Sequence, residues 1–199
     1  MGWDYLKGAD SKSKTWAEVT RDERFFCQHL YHLIHRCPNT KSFVRILDEL
    51  VPSLELDTNV EWEIGYEVCF YRDLMFHRKV SRDSHCYSLK RTFDLCLFSE
   101  ETIVIIEAKA QQAFDATQNK SFKCDKKQVS GLTDNTQVKL LGLASSKYLD
   151  KNFLALPPME NAVFDGLISW MQLAKHFDND KILERANRIY GRGEPDLVS

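Results

Sequence analysis

Residues 92–112, TFDLCLFSEETIVIIEAKAQQ, constrain the fold more than any other stretch of this chain. Two runs rich in β-branched and aromatic residues, 93–98 and 103–108, flank Ser-Glu-Glu-Thr, which predicts a β-hairpin with a tight turn. With Glu100 and Glu101 at the turn centre, Phe98 faces Ile103, Leu95 faces Ile106 and Asp94 faces Glu107. Directly opposed residues have Cβ atoms roughly 4.5 to 5.5 Å apart, and like charges placed there destabilise the pair. Lys109 lies two residues beyond Glu107 and so points to the same face. The rest of the hairpin is apolar on both faces, with Phe93, Leu95, Leu97, Val104 and Ile106 on one and Cys96, Phe98, Ile103 and Ile105 on the other. Such a strand pair is covered on both sides. A carboxylate pair at the end of it asks for a metal or a tight ion pair.

Asp94, followed after a short hairpin by Glu107-Ala108-Lys109, resembles the PD-(D/E)XK nuclease superfamily, with Phe93 where the motif's name has Pro. The resemblance covers about residues 20–145. It implies an α/β fold with a restriction-endonuclease-like core (αβββαβ), in which helices flank a central mixed sheet, and here two extra C-terminal helices. It also implies a metal-dependent phosphodiesterase, an endonuclease acting on DNA. Asp94, Glu107 and the carbonyl of Ala108 would then hold Mg²⁺, with Mn²⁺ as a substitute, a hard cation that takes carboxylates, waters and phosphate oxygens. Lys109 would orient water. The superfamily's first helix often carries an acid facing the metal, and Glu23 matches it; Glu67, on the strand beside Asp94, is another acid near the site, or a solvent-facing one.

Gln128-Val-Ser-Gly-Leu132 resembles the Gln-hydrophobic-x-x-Tyr motif of RecB-like members, with Leu in place of Tyr. Gln128 is thus the preferred site glutamine and Gln111 its rival. Lys90, Arg91, Lys123, Lys126 and Lys127 are candidates for phosphate contacts, which typically come from such side chains. Between residues 72 and 127 there are eleven Lys and Arg against eight Asp and Glu, although the whole chain carries a net charge of -2. The other reading of these lysines is a solvated face. The rival from another class is a nuclease-fold module that has lost catalysis and binds nucleic acid or a partner protein, with Lys109 bridging Asp94 and Glu107. A cut across both strands favours a homodimer.

At 199 residues and 43% hydrophobic, the chain suffices for one domain over residues 15–199, behind a flexible stretch at 1–14. No apolar run reaches the roughly 20 residues that span a bilayer, and no signal-peptide h-region is visible, so a cytoplasmic location is expected. The six cysteines are scattered without a CxxC pair, and most read as buried thiols.

Thr15-Trp-Ala-Glu18 and Thr20-Arg-Asp-Glu23 both have the form of a capping box, which predicts a helix start and gives Glu23 a second reading as a cap. The helix that follows carries Phe26, Leu30, Leu33 and Ile34 on one stripe. His29, His32 and His35 drift around it and do not converge on a metal. A second helix is expected over 40–51, a strand over 60–70 bent at Gly65, and a basic strand end and loop over 72–91, the candidate phosphate-contacting flap. Beyond the hairpin, the pattern predicts a helix over about 121–132, a strand over 136–144, and amphipathic helices over 161–177 and 180–190.

Overall fold

Strand pairing follows the alternation. The computed structural model describes residues 2–7, 10–36, 40–79, 90–114, 116–133, 136–152 and 163–191. Among these, β1 (Glu63–Val68), β2 (Phe93–Phe98), β3 (Thr102–Ala108), β4 (Gln137–Ala144) and β5 (Gly166–Ser169) form one sheet in sequence order. The first three strands are an antiparallel meander, and β3, β4 and β5 run parallel. The hairpin register is the expected one, with Phe98 opposite Ile103 and Leu95 opposite Ile106.

Helices cover both faces, as the two-sided apolar strands require. Leu95, Leu97, Val104, Ile106, Leu141 and Leu143 pack with apolar side chains of α2 (Glu23–Arg36), α3 (Thr40–Leu50), α7 (Trp170–His176) and α8 (Lys181–Arg188). On the other face, Cys96, Ile103, Ile105, Val138 and Leu140 pack with Tyr71 of α4 (Phe70–Arg78) and with Phe122 and Val129 of α5 (Ala116–Leu132). A short α1 (Trp16–Val19) and α6 (Ser146–Asn152) complete the described α-helices, beside single 3-10 turns at Asp4–Leu6 and Pro52–Leu54. The protein is thus an α/β fold with a five-stranded mixed sheet between helical layers.

Phe93 and Val68 depart from the alternation and join the α4/α5 face. The cause is Glu67, whose φ of 52° puts a left-handed residue between the pairs Tyr66↔Leu95 and Val68↔Phe93. The bend therefore lies at Glu67 rather than at Gly65. The glycine is required for a related reason, since a Cβ there would lie 2.5 Å from Cγ2 of the turned Val68.

Two elements differ from the sequence pattern. Where the pattern predicts a strand end and loop, residues 70–78 form α4, with Tyr71 and Met75 buried four apart and Lys79 closing the last turn in the left-handed region. The remainder of the flap, residues 80–89, lies outside the described residues. Where one helix is expected over 161–177, β5 first pairs with β4, and α7 begins at Trp170 behind a Ser169/Gln172 capping box. Gly166 permits that pairing, because a Cβ there would lie 2.3 Å from Cγ1 of Val51. The helix expected to start near 121 begins one turn earlier, at Ala116. The expected helix over 180–190 is α8, with the Asp180 carboxylate accepting from the N–H groups of Ile182 and Leu183 at 2.9 Å. At the N-terminus, Trp3 forms a backbone bridge with Lys14.

Candidate active site

The hairpin ladder ends at Leu95 and Ile106, and just beyond it Asp94 lies near enough to Glu107 for its charge to act on that carboxyl. Asp94 accepts the backbone N–H of Ala108 through Oδ2 at 2.8 Å. Glu107 is 4% exposed and accepts Arg91 Nη2 through Oε1 at 2.8 Å. Burial, reinforced by the charge of Asp94, pushes the Glu107 carboxyl up to about 8 in spite of Arg91 and Lys109. Burial also raises Asp94, against the pull of the Ala108 N–H, Lys109, Arg91 and Arg24. Two acids that resist ionisation therefore sit together.

The start of α2 points at this pair. Of the two predicted capping boxes, the first forms, with Glu18 Oε2 accepting the Thr15 N–H at 2.6 Å. The second does not, because Glu23 reaches across to the strand end, taking Lys109 Nζ at 3.0 Å and the Ala110 N–H at 3.1 Å. Burial raises the Glu23 carboxyl, and Lys109 offsets part of that rise. Burial opposes the charge on Lys109, yet Glu23, Asp94 and Glu107 together hold its ammonium above the usual lysine range. The hydrogen bond of Lys109 goes to Glu23, so it does not bridge Asp94 and Glu107. Its backbone is pinned as well, with its N–H donating to Leu143 O at 2.7 Å and its carbonyl accepting from Trp170 Nε1 at 3.0 Å.

Arg91 closes the other side. Its guanidinium lies 5.2 and 5.3 Å from the ring centroids of Phe93 and Phe122, and its Nε donates to Asp125 Oδ2 at 2.9 Å. Asp125 Oδ1 accepts the Tyr71 hydroxyl at 2.7 Å, and the same hydroxyl reaches Gln128 Oε1 at 3.3 Å. Asp125 and Tyr71 escaped the sequence reading. Asp125 had a usable signal, because it shares the buried stripe of α5 with Phe122 and Val129, and a carboxylate there needs a partner.

The other predicted residues fall as follows. Gln128 belongs to the Tyr71–Asp125 network, whereas Gln111 donates through Nε2 to the carbonyl of Arg21. Glu67 pairs with Arg24 at 3.3 Å. His29 pairs with Asp180 at 3.0 Å, away from any metal arrangement. Lys90 is exposed directly before Arg91. Lys126 binds both oxygens of Asp165, at 2.6 and 2.7 Å. With the exposed Lys123 and Lys127 it lines a cleft of about 780 Å³ that runs to Gln137 and Val138. Gln137 pairs with Thr102 and Gly142 with Glu107, so the strand edge of the cleft is roughly 17 Å along the sheet from the acids.

Among the described residues, Glu23, Asp94, Glu107 and Asp125 share two hydrogen-bonded cations, Arg91 and Lys109, while Arg24, itself paired with Glu67, adds a weaker pull on Asp94. Fully ionised, the cluster carries an excess of two negative charges. Among the described residues, no three His, Cys, Asp or Glu side chains are grouped to hold a metal. The set that fits a cation is the Asp94/Glu107 pair, whose crowded charges a hard divalent ion would relieve while it kept most of its waters. Among the described residues, no helix is long and apolar enough to cross a membrane. Comparison of the chain with protein-family models, with curated proteins and with solved structures returned no match.

Proposed function

We propose that this protein is a divalent-metal-dependent nuclease that hydrolyses DNA phosphodiester bonds, acting as an endonuclease of the PD-(D/E)XK type. The observation that carries the reading is the excess of carboxylate at the open end of β3, where Asp94 and Glu107 crowd each other beside a lysine held in place by Glu23. A bound Mg²⁺, or Mn²⁺ in its stead, supplies positive charge to the phosphate and makes hydroxide accessible near neutral pH. Asp94, Glu107 and the Ala108 carbonyl would hold it. Glu23 and the Leu143 and Trp170 contacts fix Lys109, which orients the attacking water and offsets the charge that builds on the phosphate. Hydroxide forms the new P–O bond, the bridging P–O bond breaks, and the leaving oxygen takes up a proton. Gln128 orients the phosphate from the α5 side, and Lys90, Lys123, Lys126 and Lys127 supply backbone contacts.

One observation favours the alternative of a module that binds nucleic acid or a partner protein without cutting it. Arg91 and Lys109 both have carboxylate partners within the protein, which is what a closed structural cluster requires. Incubating supercoiled plasmid and linear single-stranded DNA with the protein in Mg²⁺ or Mn²⁺ separates the two. Cleavage that needs metal and disappears in Glu107→Ala and Lys109→Ala supports the nuclease. Wild type as inert as both variants supports the binding module.

A further inference from the structure

Arg91 is held on four sides, and the holds are unequal. Asp125 uses one oxygen on the Tyr71 hydroxyl and the other on Arg91 Nε, so it faces two donors at 2.7 and 2.9 Å from within a buried helix face. Phe93 and Phe122 each present a ring to the guanidinium. The fourth hold, Nη2 on Glu107 at 2.8 Å, ends on a carboxylate that also faces Asp94. The guanidinium has separate donors on separate nitrogens, so Nη2 can leave Glu107 while Nε stays on Asp125. A divalent cation and a guanidinium on one carboxylate repel each other, and Arg91, unlike the buried Glu107, keeps about a quarter of its side chain, 27%, exposed.

Building on the nuclease reading, we propose that Arg91 occupies on Glu107 the place of the divalent cation. On the cation's arrival, Arg91 transfers Nη2 to a phosphate oxygen of the nucleic acid, with Asp125 as its positioning residue. The cation and the substrate contact are thereby coupled: one frees the group that binds the other. A planar guanidinium suits the second role, since it matches phosphate oxygens while keeping its Asp125 bond.

The test measures Mn²⁺ binding to the full chain at pH 8, and separately the binding of a phosphorothioate-substituted DNA duplex with and without Mn²⁺. The variants are Arg91→Met and Arg91→Lys, the lysine keeping a charge near the rings without the reach to both carboxylates. Both variants should bind Mn²⁺ roughly tenfold more tightly than wild type, the size of one competing charge-assisted hydrogen bond. Both should bind the duplex roughly tenfold more weakly in Mn²⁺, with little difference in its absence. Variants that match wild type for Mn²⁺, or that lose duplex affinity equally with and without it, overturn the coupling and leave the nuclease reading intact. Mn²⁺ bound by the variants and not by wild type overturns the coupling, since Arg91 then never yields its place to the cation. No Mn²⁺ binding by any of the three chains overturns both.

Discussion

Replacing Glu107 with glutamine should stabilise the fold at alkaline pH, by an amount that follows from its burial. Its carboxyl is raised from an ordinary 4.5 to about 8, so the folded protein keeps a proton that the unfolded chain has already released. Stability therefore falls as pH rises from about 4.5 to about 8, and the full penalty is present above that window. At about 1.4 kcal/mol per pH unit, the ionised side chain weighs against the fold by about 4 to 5 kcal/mol at pH 9. Glutamine removes the charge and keeps a neutral acceptor for Arg91, as the protonated carboxyl does, and the pull of Arg91 on the ionised form is already contained in the raised value. The gain is therefore about 4 to 5 kcal/mol at pH 9, or roughly 10 to 15 °C in Tm for a domain of this size, against almost none at pH 4. Urea and thermal denaturation of both proteins at pH 4, 6.5 and 9 measure the difference, and Asp94 and Glu23 largely cancel between them. A Glu107→Gln protein no more stable than wild type at pH 9 would refute the claim that burial and Asp94 crowd this acid.

Tyr71→Phe removes a donor from the buried Asp125 and should cost about 1 to 3 kcal/mol of stability; an unchanged urea midpoint would mean that the hydroxyl contributes nothing there. Gly65→Ala places a Cβ against the turned Val68 and should cost about 1 to 3 kcal/mol, recovered in part by Val68→Ala in a double-mutant cycle. Thiol labelling followed by mass spectrometry should modify exposed Cys124 first and leave Cys27 and Cys96 unmodified until urea unfolds the chain, because burial raises both thiols well above the usual range.

The hairpin was legible because side-chain alternation and a four-residue connection leave one register, and that register alone puts Asp94 beside Glu107. The meaning of Glu23 was half legible. A Thr-x-x-Glu pattern records that the acid can cap, and only the tertiary fold shows it spent on Lys109 and Ala110. Residues 70–78 misled because Phe70 continues the alternation of a strand and the basic run after it reads as a loop, and the left-handed Glu67, one residue before the end of β1, has no sequence signature. Gly166-Leu-Ile-Ser169 failed for a related reason, since four apolar-rich residues are too few to show a period before α7 begins. The Arg91–Asp125–Tyr71 network joins three distant segments, and periodicity carries no information about such contacts.

The central claim is that Asp94 and Glu107 form a carboxylate pair suited to one divalent cation. Its most direct test is a Mn²⁺ titration of wild type, Asp94→Asn and Glu107→Gln at pH 8, with folding verified by circular dichroism. One ion per chain is expected in wild type, with at least a roughly tenfold loss of affinity in each variant, as when a charged ligand is removed. Folded variants that bind Mn²⁺ as tightly as wild type, or a wild type that binds none, would contradict it.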